Sequence, residues 1–299
     1  MVVKILADAT PTSGLGHLRR ALKLQNHLAN LHIEAQVLAP HPLANQALDW
    51  LQALKITTHD FLIVDSYLAP LDFYHHAHAH ARGLIVLEDS PHARMPPESV
   101  IINPAYKAQQ LYPQPHARMF LGCAFMPFEK AFKVDHKPLK PKPTTLLMSF
   151  GGSAQSLRFY QHALEILQQS SLSVHVIAPP ELALAFPKTR ARVHTHLDLQ
   201  EIAALIHASD IALLGAGGML YEAMLALTPT LTLPIAPNQT HQFTALSNAQ
   251  ACLPTSLDTL LADLAQLNLA TRARMQAVQR DLNIGSALQS TLQAILLGY

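Results

Sequence analysis

Residues 2–20 read VVKILADATPTSGLGHLRR. The apolar run 2–7 has the length of a buried strand, and the apolar spacing over 18–29 is that of a helix. Between them stand Gly14, Gly16 and His17. Strand, glycine turn and helix in that order open a parallel α/β unit. His17 therefore stands where the helix begins. It can be a residue of a tight turn, or a base beside a bound anion.

The same alternation continues outward. Strands are expected at 33–38, 61–64, 84–87 and 100–102, with helices at 43–54 and 71–81 between them. At 133–143 the chain turns charged and holds three prolines in eleven residues, which predicts a linker. Strands then resume at 145–150, 173–178, 192–195, 211–214 and 230–234. Helices are expected at 156–168, 199–208, 218–227 and 241–249, and the chain reads as helical from 257 onward. The predicted division is a Rossmann-like domain at 1–134, a linker at 135–144 and a second Rossmann-like domain at 145–299. Two doubly wound halves imply a cleft between them, with ligand-binding loops at the carboxyl ends of strands.

Composition narrows the function classes. Of 299 residues 49% are apolar and 14% charged, enough apolar residues for sizeable cores. The net charge is +1 with scattered basic residues, which argues against nucleic acid and against an anionic membrane face. Cys123 and Cys252 form no metal-binding or redox spacing and read as reduced, buried thiols. No apolar segment reaches the roughly 18 residues of a membrane span, and the first ten residues are too short for a signal peptide. A cytoplasmic, monomeric protein acting without a cofactor or metal is expected.

Three glycine turns fall at predicted strand ends: Gly14 to His17, Gly151-Gly152-Ser153, and Gly215 to Met219, which includes Gly217 and Gly218. Such turns before helices let a backbone approach a phosphate closely, so three of them point to a diphosphate ligand. Glu222, a helical turn after Gly218, can accept ribose hydroxyls or be a solvated helix glutamate. Asn238 and Gln239 can fix sugar groups, or Asn238 can cap the next helix. Asp65-Ser66-Tyr67 and Glu88-Asp89 put polar groups at strand ends, although Asp89 can equally cap a turn. Of Arg19 and Arg20, at least one is expected to face a carboxylate or phosphate. An imidazole at His17 titrates near neutral pH and can serve as general base on water. The run HHAHAH at 75–80 suggests metal, but with no acidic or cysteine partner nearby it reads as a histidine-rich surface helix.

The chain resembles the hydrolases of pseudaminic acid biosynthesis that remove UDP from UDP-2,4-diacetamido-2,4,6-trideoxy-β-L-altropyranose. The resemblance is carried by LADATPTSGLGHLRRALKL (6–24), FLIVDSY (61–67), LIVLEDS (84–90), VIINPAY (100–106) and SFGGS (149–153). It continues through GAGGMLYEAMLALTPTLTLPIAPNQTHQ (215–242). That last stretch is also similar to the nucleotide-binding half of GT-B glycosyltransferases. The resemblance implies a GT-B fold, with UDP held mainly by the C-terminal half. It implies His17 as the catalytic base, with Tyr67 and Asn238 lining the sugar site. Gly14, Gly16, Arg20, Asp65 and Gln239 are expected beside the substrate. Gly217, Gly218 and Met219 would meet the diphosphate and Glu222 the ribose, with Gly151, Gly152 and Ser153 also on the UDP. The implied reaction is metal-free attack of water at the anomeric carbon, with inversion. A UDP-sugar transferase on the same fold and a non-catalytic nucleotide-sugar binder remain the alternatives.

Overall fold

A computed structural model describes residues 2–10, 13–91, 95–97, 99–116 and 118–298. It has two compact units: Met1–Phe128 with Asn283–Tyr299, and Glu129–Leu282.

The first unit runs β1 (Val2–Ala7), α1 (Gly16–Ala29), β2 (Glu34–Ala39), β3 (Gln46–Ala47), α2 (Trp50–Ala53), β4 (Phe61–Asp65) and α3 (Leu71–His80). It continues with β5 (Gly83–Leu87), β6 (Val100–Asn103) and β7 (Met119–Leu121). All seven strands pair in parallel, in the order β3-β2-β1-β4-β5-β6-β7. β1 and β4 are buried, apolar and central, as strands covered on both faces should be. α1 packs through Leu18, Ala21, Leu24 and Leu28, all fully buried and spaced three or four apart. The strand order reverses between β1 and β4. Ligands of doubly wound sheets bind outside the strand ends at such a reversal. Ala7 and Asp65 are paired there, at the ends of the two strands.

The second unit runs β8 (Thr145–Ser149), α4 (Leu157–Leu167), β9 (Ser173–Ile177), α5 (Pro180–Ala183), β10 (Arg192–His194), α6 (Leu199–Ala208) and β11 (Ile211–Gly215). Then come α7 (Gly218–Leu225), β12 (Thr230–Leu233), α8 (Thr240–Asn248), β13 (Leu253–Pro254), α9 (Leu260–Gln266) and α10 (Leu269–Asp281). Its six strands are again all parallel, in the order β10-β9-β8-β11-β12-β13. Here the reversal lies between β8 and β11, the two strands followed by glycine turns. α6 begins where the sequence places it because Asp198 and Glu201 form a reciprocal cap: each side chain accepts the other residue's backbone N–H at 2.8 Å.

Three expectations are corrected. The helix expected over 43–54 shrinks to α2, because Asn45 Oδ1 accepts from the Val37 amide at 2.8 Å and from Gln25 at 2.7 Å. Gln46–Ala47 then pairs with β2. Such side-chain bonds to backbone compete with helix.

The segment 133–143 is a strap fastened to the second unit rather than a free linker. Proline removes donors but leaves carbonyls, and Arg272 Nη2 donates to Lys140 O at 2.8 Å and Pro141 O at 2.9 Å. Lys137 Nζ donates to Thr228 Oγ1 at 2.7 Å and Ile206 O at 2.9 Å. The boundary between the units accordingly falls at Phe128, not at 134.

Finally, the chain end does not stay with the second unit. α11 (Leu288–Leu297) buries Leu288, Leu292 and Leu296 in the same core as Leu24 and Leu28. Each buried leucine contributes about 2 kcal/mol of transfer free energy, which ties 283–299 to the first unit.

Candidate active site

Thr10 and Ser13 close the turn after β1 through reciprocal bonds of 2.9–3.1 Å. Gly14 follows at φ 67°, a left-handed conformation that favours glycine, and its amide donates to Thr10 O at 2.8 Å. The chain then enters α1 at Gly16, which puts His17 in the first turn over the end of β4.

His17 Nδ1 lies 2.5 Å from Asp65 Oδ1. Asp65 is fully buried. Burial alone would raise its pKa, but Arg20 and His17 hold it well below the usual carboxylate range. An ionised carboxylate only accepts, so His17 donates through Nδ1–H and carries its lone pair on Nε2. That is the tautomer of a general base. Burial would lower the His17 pKa; the Asp65 charge and hydrogen bond outweigh it, against opposition from Arg20, and leave it above 6.5.

Arg20 closes a larger network. Its Nε donates to Asp65 Oδ2 at 2.6 Å and its Nη2 to Asp65 Oδ1 at 2.6 Å. Its Nη1 donates to Asp89 Oδ1 at 2.7 Å. The other Asp89 oxygen accepts from the Tyr67 hydroxyl. The Tyr67 ring stands edge-on to His17, at 4.4 Å between centroids and 89° between planes. His17, Asp65, Arg20, Asp89 and Tyr67 thus form a closed ring of contacts. Tyr67 is 43% exposed while His17 is 5% exposed, so Tyr67 is the ring's solvent-facing member. Arg19 is exposed, and Arg20 is the arginine that meets carboxylates.

Asp8 is a residue of the candidate site that sequence reasoning missed. Buried at the end of β1, it accepts from Ser66 Oγ at 2.7 Å and the Tyr67 amide at 2.7 Å. It fixes the backbone that presents Tyr67. The available signal was an acidic residue directly after a buried strand. Glu88, also buried, accepts from the Tyr112 hydroxyl at 2.6 Å and is occupied within the fold.

In the second unit, Gly151 follows β8 at φ 82°. A Cβ on Gly152 would lie 3.0 Å from Pro179 Cγ, so the turn has little room for a side chain there. Ser153 and Ser156 hydroxyls lie 3.1 Å apart, and Ser156 donates to Phe150 O at 2.8 Å. Across the strand reversal, α7 starts at Gly218 behind Gly217, and the first amides of a helix lack intrahelical partners. Gly218 is exposed, and Gly217 and Met219 are half-buried. Gln239 Oε1 accepts from the Ile235 amide at 2.9 Å, and its Nε2 would lie 3.6 Å from a Cβ on Gly217. Gln242 donates to Ala216 O. The 237–242 segment is thereby laced to the glycine turn.

Two of the structural readings left open by the sequence are excluded. Glu222 is buried at 8% exposure rather than solvated. Asn238 is exposed in a short 3₁₀ turn, and Gln239 holds the N-cap position of α8, so Asn238 is not the cap. The 75–80 histidines lie on α3 and its end, with His76 and His80 stacked at 4.2 Å between centroids. Among the described residues no group of three or more His, Cys, Asp or Glu side chains could hold a metal ion. Among them, too, no helix is long and apolar enough to cross a membrane.

Comparison with known proteins agrees with this architecture. The chain is 32% identical, over 99% of its length, to a Helicobacter pylori (strain ATCC 700392 / 26695) protein. That relative is the pseudaminic acid cytidylyltransferase and UDP-2,4-diacetamido-2,4,6-trideoxy-beta-L-altropyranose hydrolase. The chain spans 56% of the relative's length. No protein-family model matches the chain. Among solved structures it is similar to Acinetobacter baumannii MurG, with TM-score 0.58 and 14% identity over 100% of this chain and 99% of that one. It is also similar to the spinosyn rhamnosyltransferase SpnG complexed with thymidine diphosphate, with TM-score 0.61 and 14% identity over 98% and 100%.

The chain has the GT-B fold. The resemblance read from the sequence is matched by a curated relative that carries the hydrolase name.

Proposed function

We propose that the chain is a nucleotide-sugar hydrolase that releases UDP from a UDP-2,4-diacetamido-2,4,6-trideoxyhexose. The observation that carries this reading is the Asp65–His17 pair at the strand reversal of the first unit. The hydrolase name of the 32% identical relative supports it. In this reading His17 Nε2 takes a proton from water as the water oxygen bonds to the anomeric carbon. The bond from that carbon to the β-phosphate oxygen breaks, its electron pair leaves with UDP, and the configuration inverts. Tyr67 and Asn238 line the sugar. Amides of Gly217, Gly218 and Met219, together with the Gly151 to Ser153 turn, meet the diphosphate, and Glu222 accepts the ribose hydroxyls.

The test uses UDP-linked diacetamido-trideoxyhexoses in oxygen-18 water with EDTA, with UDP-N-acetylglucosamine as control. UDP released without label is expected, since phosphate oxygens do not exchange with water under these conditions. Label on a phosphate would mean attack at phosphorus and would refute the reading. Release only on addition of a sugar acceptor would favour a transferase.

A further inference from the structure

Two members of the contact ring have no part in the chemistry just described. Arg20 spends three donors on two carboxylates, at 2.6, 2.6 and 2.7 Å. A guanidinium is a planar, rigid fork, so two carboxylates bonded to it are held in one fixed relation. One of them, Asp65, shares its Oδ1 between Arg20 Nη2 and His17 Nδ1. The other, Asp89, accepts the Tyr67 hydroxyl. A phenol has one proton to give. With that proton on Asp89, Tyr67 meets any further group only as an acceptor.

We propose that Arg20, acting with Asp89, is the positioning residue of this site: its fork locks the base and the solvent-facing phenol into one rigid unit. Arg20 thereby fixes both the tautomer of His17 and the hydrogen-bond polarity of Tyr67. A substrate group that meets Tyr67 must then supply an N–H or O–H, as an acetamido nitrogen or a sugar hydroxyl does. The inference rests on His17 being the base.

Geometry and charge can be separated experimentally. The charged groups acting on His17 are Asp65 from β4, Asp89 beyond β5 and Arg20 on its own helix; the first two raise its pKa and Arg20 lowers it. Arg20→Lys keeps a charge but cannot bridge two carboxylates. It is expected to lower kcat by about 10- to 100-fold, with the acid limb of the pH–rate profile near its original place. Arg20→Gln should lose rate and also move that limb upward. Asp89→Asn should move it downward.

Imidazole NMR of the substrate-free protein gives an independent reading. The downfield His17 Nδ1–H resonance expected in the wild type should shift upfield and broaden in Arg20→Lys, while Trp50 fluorescence shows the fold intact. Full rate in Arg20→Lys, or an unchanged Nδ1–H resonance there, would overturn the positioning role. If the wild type releases no UDP, the hydrolase reading fails, and the imidazole spectra still decide whether Arg20 positions His17.

Discussion

Asp65→Asn removes one negative charge from the centre of the ring and changes little else in shape. The Asp65 side chain is fully buried and accepts three charge-assisted bonds, one from His17 and two from Arg20. An asparagine has one acceptor oxygen and one donor nitrogen, so in either orientation it sets N–H groups against an Arg20 donor, and in one of them against His17 as well. Removing one partner of a buried charged pair costs about 3–5 kcal/mol. Arg20 keeps Asp89, which places the expected loss near the lower end, about 3 kcal/mol.

The pH dependence has a definite sign. Asp65 has a depressed folded pKa, so its contribution is present above the unfolded carboxylate value and is lost only as pH falls through the folded one. His17 has a raised folded pKa, so its contribution is full below 6.5 and is lost as pH rises through the folded value. The difference between wild type and variant should therefore be larger near pH 6 than near pH 9.

Urea unfolding followed by tryptophan fluorescence measures this. Trp50 is the chain's single tryptophan, buried in the first unit, with its Nε1 donating to Ala7 O at 3.0 Å at the end of β1. It reports the unit that holds the ring, whatever the second unit does. A loss below about 1 kcal/mol, within the range of an exposed pair, or one that grows with pH, would refute the buried-pair account.

Three further outcomes are expected. His17→Asn should lower turnover by about 10²- to 10⁴-fold and leave UDP affinity unchanged by calorimetry. The kcat/KM of the wild type should rise with pH along an acid limb whose midpoint lies above 6.5, because the deprotonated base is the active form; a pH–rate series checks it. Leu292→Ala should destabilise the first unit by about 2–5 kcal/mol, read by Trp50, although position 292 is far along the chain from the 1–128 segment that holds Trp50.

Much of the fold is legible because it follows from local rules. Val2–Ala7 and Leu199–Ala208 are found at the expected ends, one a continuous apolar run and the other opened by a D-x-x-E cap. Where side chains bond to distant backbone the reading fails. Asn45, reaching Val37, cuts short a helix whose apolar spacing looked sound. Arg272 converts a proline-rich segment into a strap from 131 and 132 residues away.

The candidate site shows the same limit. His17, Arg20, Asp65 and Tyr67 could each be picked out as polar residues at strand ends. That His17 meets Asp65 across 48 residues, and that Arg20 joins Asp65 to Asp89, follows only from the strand order β1-β4-β5. Asp8 went unseen because the acidic residue after the strand does not reveal its partner, a backbone amide 59 residues away.

The return of the chain to its first unit has a consequence for biosynthesis. During synthesis the second unit, contiguous from Glu129 to Leu282, can complete its core while the ribosome is still translating. The first unit, though begun earlier, lacks Leu288, Leu292 and Leu296 until the chain has been made past the second unit. Its side of α1, the helix that carries His17 and Arg20, stays uncovered until then. For these two units the order of maturation is thus the reverse of the order in which they are begun.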